Sequence, residues 1–149
     1  MIESTTQRRT AVATAVGAVL VLYAVTFLLG ALLHSGVRIP LGFAVLDEPR
    51  IVPAVIVEGL CTTALAVSAY AVFARKTWAW AAVTAAHTLA LAGVLLGMAA
   101  IAAGRGPSTV LNDTYHRVMV VLLVAGLALL STSVAKAALG RSDRAPRPS

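Results

Sequence analysis

Apolar residues in this chain do not alternate with polar ones. They run in long blocks, at about 11–33, 51–74, 78–103 and 118–139, and most prolines and charges fall between or beyond them. At 1.5 Å per residue the first block, Ala11 to Leu33, makes a helix about 34 Å long, enough to cross a hydrocarbon core about 30 Å thick. Blocks of this length predict membrane-spanning helices, because a helix satisfies its own backbone hydrogen bonds in lipid. A cleaved signal peptide has an apolar region of only about 7–15 residues. The first block is longer, and the Arg8–Arg9 pair before it is followed by more apolar blocks rather than by a soluble segment.

The connections sharpen this picture. Residues 1–10 form a polar N-terminal segment. The first loop, HSGVRIPLGFAVLDEPR at 34–50, is apolar at its centre, which predicts that it lies at the membrane interface or folds back on the bundle. Pro53 falls in the first turn of the second span, where its missing N–H matters little. The connection RKTW at 75–78 is so short that spans two and three must be antiparallel neighbours. Trp78 and Trp80 suit an interfacial aromatic belt. Gly93 and Gly97 on the third span have the small-residue spacing that lets helices approach closely. The loop GRGPSTVLNDTYHR at 104–117 offers Asn112, Asp113 or Thr114 as a cap for the fourth span. The tail GRSDRAPRPS, 140–149, reads as basic and disordered. The fold class expected is therefore all-α, a single bundle of four transmembrane helices.

Composition agrees. Hydrophobic residues make up 59% of the 149, and the mean hydropathy is +0.88. Charged residues are 12%, against about 25% in soluble domains. The net charge of +6 lies at span ends rather than in a patch with interleaved aromatics, so nucleic acid is not expected as a partner. Arg8, Arg9, Arg75, Lys76, Lys136, Arg141, Arg144 and Arg147 lie on the side of the termini, and only Arg38, Arg50, Arg105 and Arg117 on the other. The excess predicts cytoplasmic termini, with both longer loops outside. Cys61, the sole cysteine, reads as a small buried hydrophobe.

Two ionisable residues fall deep in the blocks: Glu58 and His87. A charge at mid-membrane costs roughly 2.5–3.5 kcal/mol even on gentle insertion scales, so such a residue pairs, takes up a proton or faces a wet cavity. Depth arithmetic puts both at a similar level on adjacent helices, and a Glu58–His87 hydrogen bond is one expectation. Thr62, Thr63 and Ser68 either extend this seam or bond to the carbonyl one turn back. A second cluster lies at the outer mouth. His34 ends span one, Arg38 and Arg50 are in the facing loop, and Asn112, Asp113, Tyr115, His116 and Arg117 open span four. It reads either as an interfacial cap or as a site for an anionic headgroup, a quinone or a small polar ligand. His34 and His116 on different helices also raise haem ligation. The three histidines do not cluster as a metal site, and no hydrolase elbow, phosphate loop or dinucleotide fingerprint occurs.

Four short spans, a long and partly apolar loop after the first, and Glu58–Gly59–Leu60 on the second resemble the DoxX-like group of small bacterial membrane proteins. Only Glu58 and Gly59 carry over. The resemblance implies a partner subunit of a membrane redox or stress-related complex in the bacterial inner membrane.

The functional expectation is a non-catalytic accessory or interaction subunit without a cofactor, in contact with lipid and with a membrane partner or a second copy of itself. One rival is a quinone- or haem-associated redox protein using Glu58 and His87. The other is a small proton-linked transporter acting as an oligomer.

Overall fold

A computed structural model describes residues 2–140. The fold is all-α. Four long helices, α1 (Ile2–His34), α2 (Val52–Phe73), α3 (Ala79–Ala102) and α4 (Val110–Leu130), are followed by a short α5 (Ser133–Leu139). Each of the four is long and apolar enough to cross a membrane. The helices line up in chain order, α1 on α2, α2 on α3 and α3 on α4, and α5 turns back onto α1, α3 and α4. From residue 141 onward the basic tail lies outside the described residues.

Burial separates the inside of the bundle from its surface. Leu20, Phe27, Leu65, Val83 and Leu123 are fully enclosed, whereas Leu22, Ile56, Leu60, Val121 and Leu129 are exposed. A soluble bundle shares the apolar interior but carries a polar exterior. Here the exterior is the apolar surface and faces lipid, and packing between small and branched side chains holds the helices together.

The helix ends follow from local chemistry. The N-terminal segment is not separate from the first span, since α1 runs without a break from Ile2 through Arg8 and Arg9. Arg75, at φ 51°, closes the tight turn from α2 into α3, with the Lys76 N–H donating to the Ala71 carbonyl at 2.9 Å. At the far end Gly104, at φ 68°, ends α3 in the left-handed conformation that glycine adopts without strain. The fourth helix differs most from expectation. It occupies Val110–Leu130 rather than about 118–139, and breaks at Ser131–Thr132 before α5. Its cap is Thr109, whose Oγ1 accepts from the Asn112 N–H at 3.0 Å. Asn112, Asp113 and Thr114 are therefore inside the helix, not before it. Thr132 caps α5 in the same way, accepting from the Ala135 N–H.

The 35–51 connection holds a small antiparallel hairpin, β1 (Ile39–Pro40) and β2 (Val45–Leu46), turned at Gly42 and braced at its base by an Arg38–Asp47 ion pair at 3.0 Å. Its tip stands away from the bundle, with Phe43 90% exposed. The loop then returns to its origin, where the Ile51 N–H donates to the His34 carbonyl at 2.9 Å. Glu48, buried, accepts from the Thr109 hydroxyl at 2.7 and 2.9 Å. One threonine thus caps α4 and anchors the first loop. Thr109→Ala is expected to lower stability by about 1–2 kcal/mol, and Thr109→Ser by much less, in detergent unfolding titrations.

Candidate functional site

Gly30 and His34 lie one turn apart on the same face at the end of α1. Glu58 lies on α2, six residues past its first residue, and so about 9 Å along the helix. The two faces meet. Glu58 packs over Gly30 so closely that a Cβ added there would lie 2.6 Å from Oε1. Its Oε2 is 2.9 Å from His34 Nδ1, and both side chains are buried. This contact answers why a carboxylate is kept in the second span: it is paired with an imidazole and shielded from lipid.

His87, the partner expected from depth, is elsewhere. Its Nδ1–H donates to the Val83 carbonyl at 2.9 Å, and its ring meets Tyr23 edge-on at 5.7 Å. It packs against Gly126 of α4 and lines a cavity of about 420 Å³ near the end of the bundle that carries the termini. Glu58 and His87 are therefore two sites, not one. Depth along a helix fixes a level, but not the direction in which a side chain points. Thr62, Thr63 and Ser68 bond to the carbonyls of Glu58, Gly59 and Ala64 one turn back, and add nothing to a polar seam.

The residues of the outer cluster divide. Arg38 is spent on Asp47, Asp113 accepts from the Ser108 hydroxyl at 2.9 Å, and Arg117 is exposed. Asn112, Tyr115 and His116 turn inward. Together with His34 and Glu58 they form the polar part of a cavity of about 290 Å³ at the loop end of the bundle. Most of the rest of its wall is apolar, from Phe27 on α1, Ala54 and Val57 on α2, and Leu96 and Ala100 on α3, and the exposed Arg105 past the end of α3 also lines it. Leu96 is 63% exposed, so this wall reaches the lipid-facing surface.

Hydrogen-bond accounting shows what the cavity lacks. His116 Nδ1–H donates to the Asn112 carbonyl at 2.8 Å. Among the described residues, three enclosed polar atoms, His34 Nε2, Asn112 Oδ1 and the Tyr115 hydroxyl, have no partner. Buried polar groups are nearly always bonded, and an unmet one costs about 1–3 kcal/mol. Three together line one cavity, which gives them room for partners from outside the chain. Gly97 limits what that is. A Cβ at this position would lie 2.6 Å from His116 Nε2, so the α3 backbone closes on that nitrogen and leaves no space for a porphyrin face. Gly93 accommodates Val57 in the same manner. Among the described residues no group of three His, Cys, Asp or Glu side chains is arranged to hold a metal ion.

Fold and cavity together define a multi-pass membrane protein with a lipid-side chamber whose polar groups converge at one end. Comparison with protein-family profiles, curated proteins and solved structures finds no match to this chain. The DoxX-like resemblance thus rests on Glu58, Gly59 and the layout of the spans alone.

Sequence reasoning grouped Asn112, Tyr115 and His116 with His34 at the outer mouth but kept Glu58 apart from them, beside His87. It left His34 at the interface, although a histidine at a span end, one turn beyond a glycine, was the available signal. Removing either member of a buried pair leaves the other unmatched, at about 3–5 kcal/mol. Glu58→Leu and His34→Leu are each expected to destabilise the protein on that scale. The double variant should be less unstable than their sum by at least about 1 kcal/mol, as read by unfolding titrations in mild detergent.

Proposed function

We propose that this protein binds a neutral, lipid-soluble small molecule in the cavity at the loop end of the bundle. One observation carries the reading: three buried polar atoms without partners line a mostly apolar chamber that reaches the lipid-facing surface. Ligand sites have this composition, apolar walls with a few placed polar groups. A molecule with a polar head and an apolar body, arriving from the bilayer, matches the cavity on both counts. A quinone-type lipid is within this class. The residues that would hold it are His34, Asn112 and Tyr115, supported by Glu58 and His116, and not Glu58 with His87.

In this reading the chain is a bacterial inner-membrane accessory subunit that holds a ligand for a partner rather than transforming it. The excess of Lys and Arg on the side of the termini supports cytoplasmic termini. The cavity then lies toward the outer leaflet.

Ala100 lines the cavity without making any of its hydrogen bonds. Organic extraction of the purified native protein is expected to release a neutral lipid at about one per chain. Ala100→Trp, which fills the chamber, should carry several-fold less. Equal amounts in the two proteins would contradict a ligand in this cavity.

A further inference from the structure

The unmatched atoms are more informative than a polar lining alone, because the chemistry of each limits what it can donate or accept. Two zero-charge arrangements of the His34–Glu58 pair, the state favoured in lipid, leave no carboxyl O–H outside the contact. In one, a doubly protonated imidazole faces a carboxylate. In the other, a carboxylic acid donates to Nδ1 of a neutral ring. In both, Nε2 carries a hydrogen. His34 Nε2 is therefore a buried donor without an acceptor, and the Tyr115 O–H is a second. Asn112 Oδ1 is an acceptor without a donor. His116 adds no free group: its Nδ1–H is committed to the Asn112 carbonyl, and the α3 backbone at Gly97 closes on its Nε2.

Donors and an acceptor thus face the inner part of one chamber, and the exposed Arg105 also lines it. A carboxylate or phosphate meets the donors and Arg105 but leaves Asn112 Oδ1 unmatched, and among the enclosed groups it brings a second anion toward Glu58. A quinone, which offers only acceptors, also leaves Asn112 unmatched. A hydroxyl group accepts and donates at once. Phe27 and Tyr115, edge to face at 6.2 Å, supply an aromatic wall beside these groups. Resting on the ligand-binding reading above, we infer that the ligand is a hydroxylated ring lipid of the phenol or hydroquinone class. Its hydroxyl accepts from His34 and Tyr115 and donates to Asn112, and its tail leaves past Leu96 into the bilayer.

The test uses three probes that differ only at the head: a decyl-substituted hydroquinone, the corresponding quinone and the hydroquinone dimethyl ether. Binding to delipidated native protein in nanodiscs is measured for each, with Asn112→Leu, Tyr115→Phe and Ala100→Trp alongside. The hydroquinone is expected to bind at least about tenfold more tightly than the quinone or the ether, because a site built around a hydroxyl rejects analogues that lack it. Asn112→Leu should narrow this gap, Tyr115→Phe should weaken all three probes alike, and Ala100→Trp should abolish binding of all three. If all three probes bind equally well to the native protein but not to Ala100→Trp, the hydroxyl inference is overturned and the cavity reading stands. A preference for the quinone overturns it as well, as does a native protein that yields an extracted lipid yet binds none of the probes. If no probe binds and extraction yields no lipid, both readings fall.

Discussion

The contact between His34 and Glu58 is the constraint on which the loop end of this bundle depends. A carboxylate in a membrane helix is tolerated only when something nearby takes up its charge or its proton. Here the partner comes from the end of α1, and the pair fixes α1 against α2 at 2.9 Å. The backbone bond from Ile51 to His34 fastens the same junction. With α1 and α2 held in this register, Phe27 and His34 face the polar start of α4 across a chamber instead of being buried against each other.

Glycines make this arrangement sterically possible. Three interior ionisable side chains pack where an adjacent helix lacks a side chain: Glu58 over Gly30, His116 over Gly97 and His87 over Gly126. In lipid, where apolar burial gives helices little reason to associate, small residues permit close approach and polar groups add directional bonds. Gly97 shows both at once. It lets α3 close over His116, and it also sets one wall of the cavity.

How much of this was legible in the sequence follows from what each signal reports. Long apolar blocks report length and hydropathy, and these alone give four helices and the antiparallel α2–α3 pair. They do not report where polar residues point. Asn112 through Arg117 read as lying outside the membrane because the segment is polar, yet α4 starts at Val110 and turns Asn112 and His116 into the bundle. Thr109, an unremarkable residue in a loop, places that start by capping it. Glu58 was recognised from its cost in lipid, but its partner was assigned by depth. Depth chose His87 on the neighbouring helix over His34, whose position at a span end hid the burial it acquires when the loop folds back.

The most direct test of the account is to see which histidine touches Glu58 in a bilayer. Solid-state NMR of protein labelled with ¹⁵N at histidine and ¹³C at glutamate reads this contact, with His34→Gln, His87→Gln and His116→Gln assigning the three rings. The account predicts a strong dipolar contact between Glu58 Cδ and a histidine Nδ1 that disappears only in His34→Gln. A contact that survives in that variant and disappears in His87→Gln would contradict it.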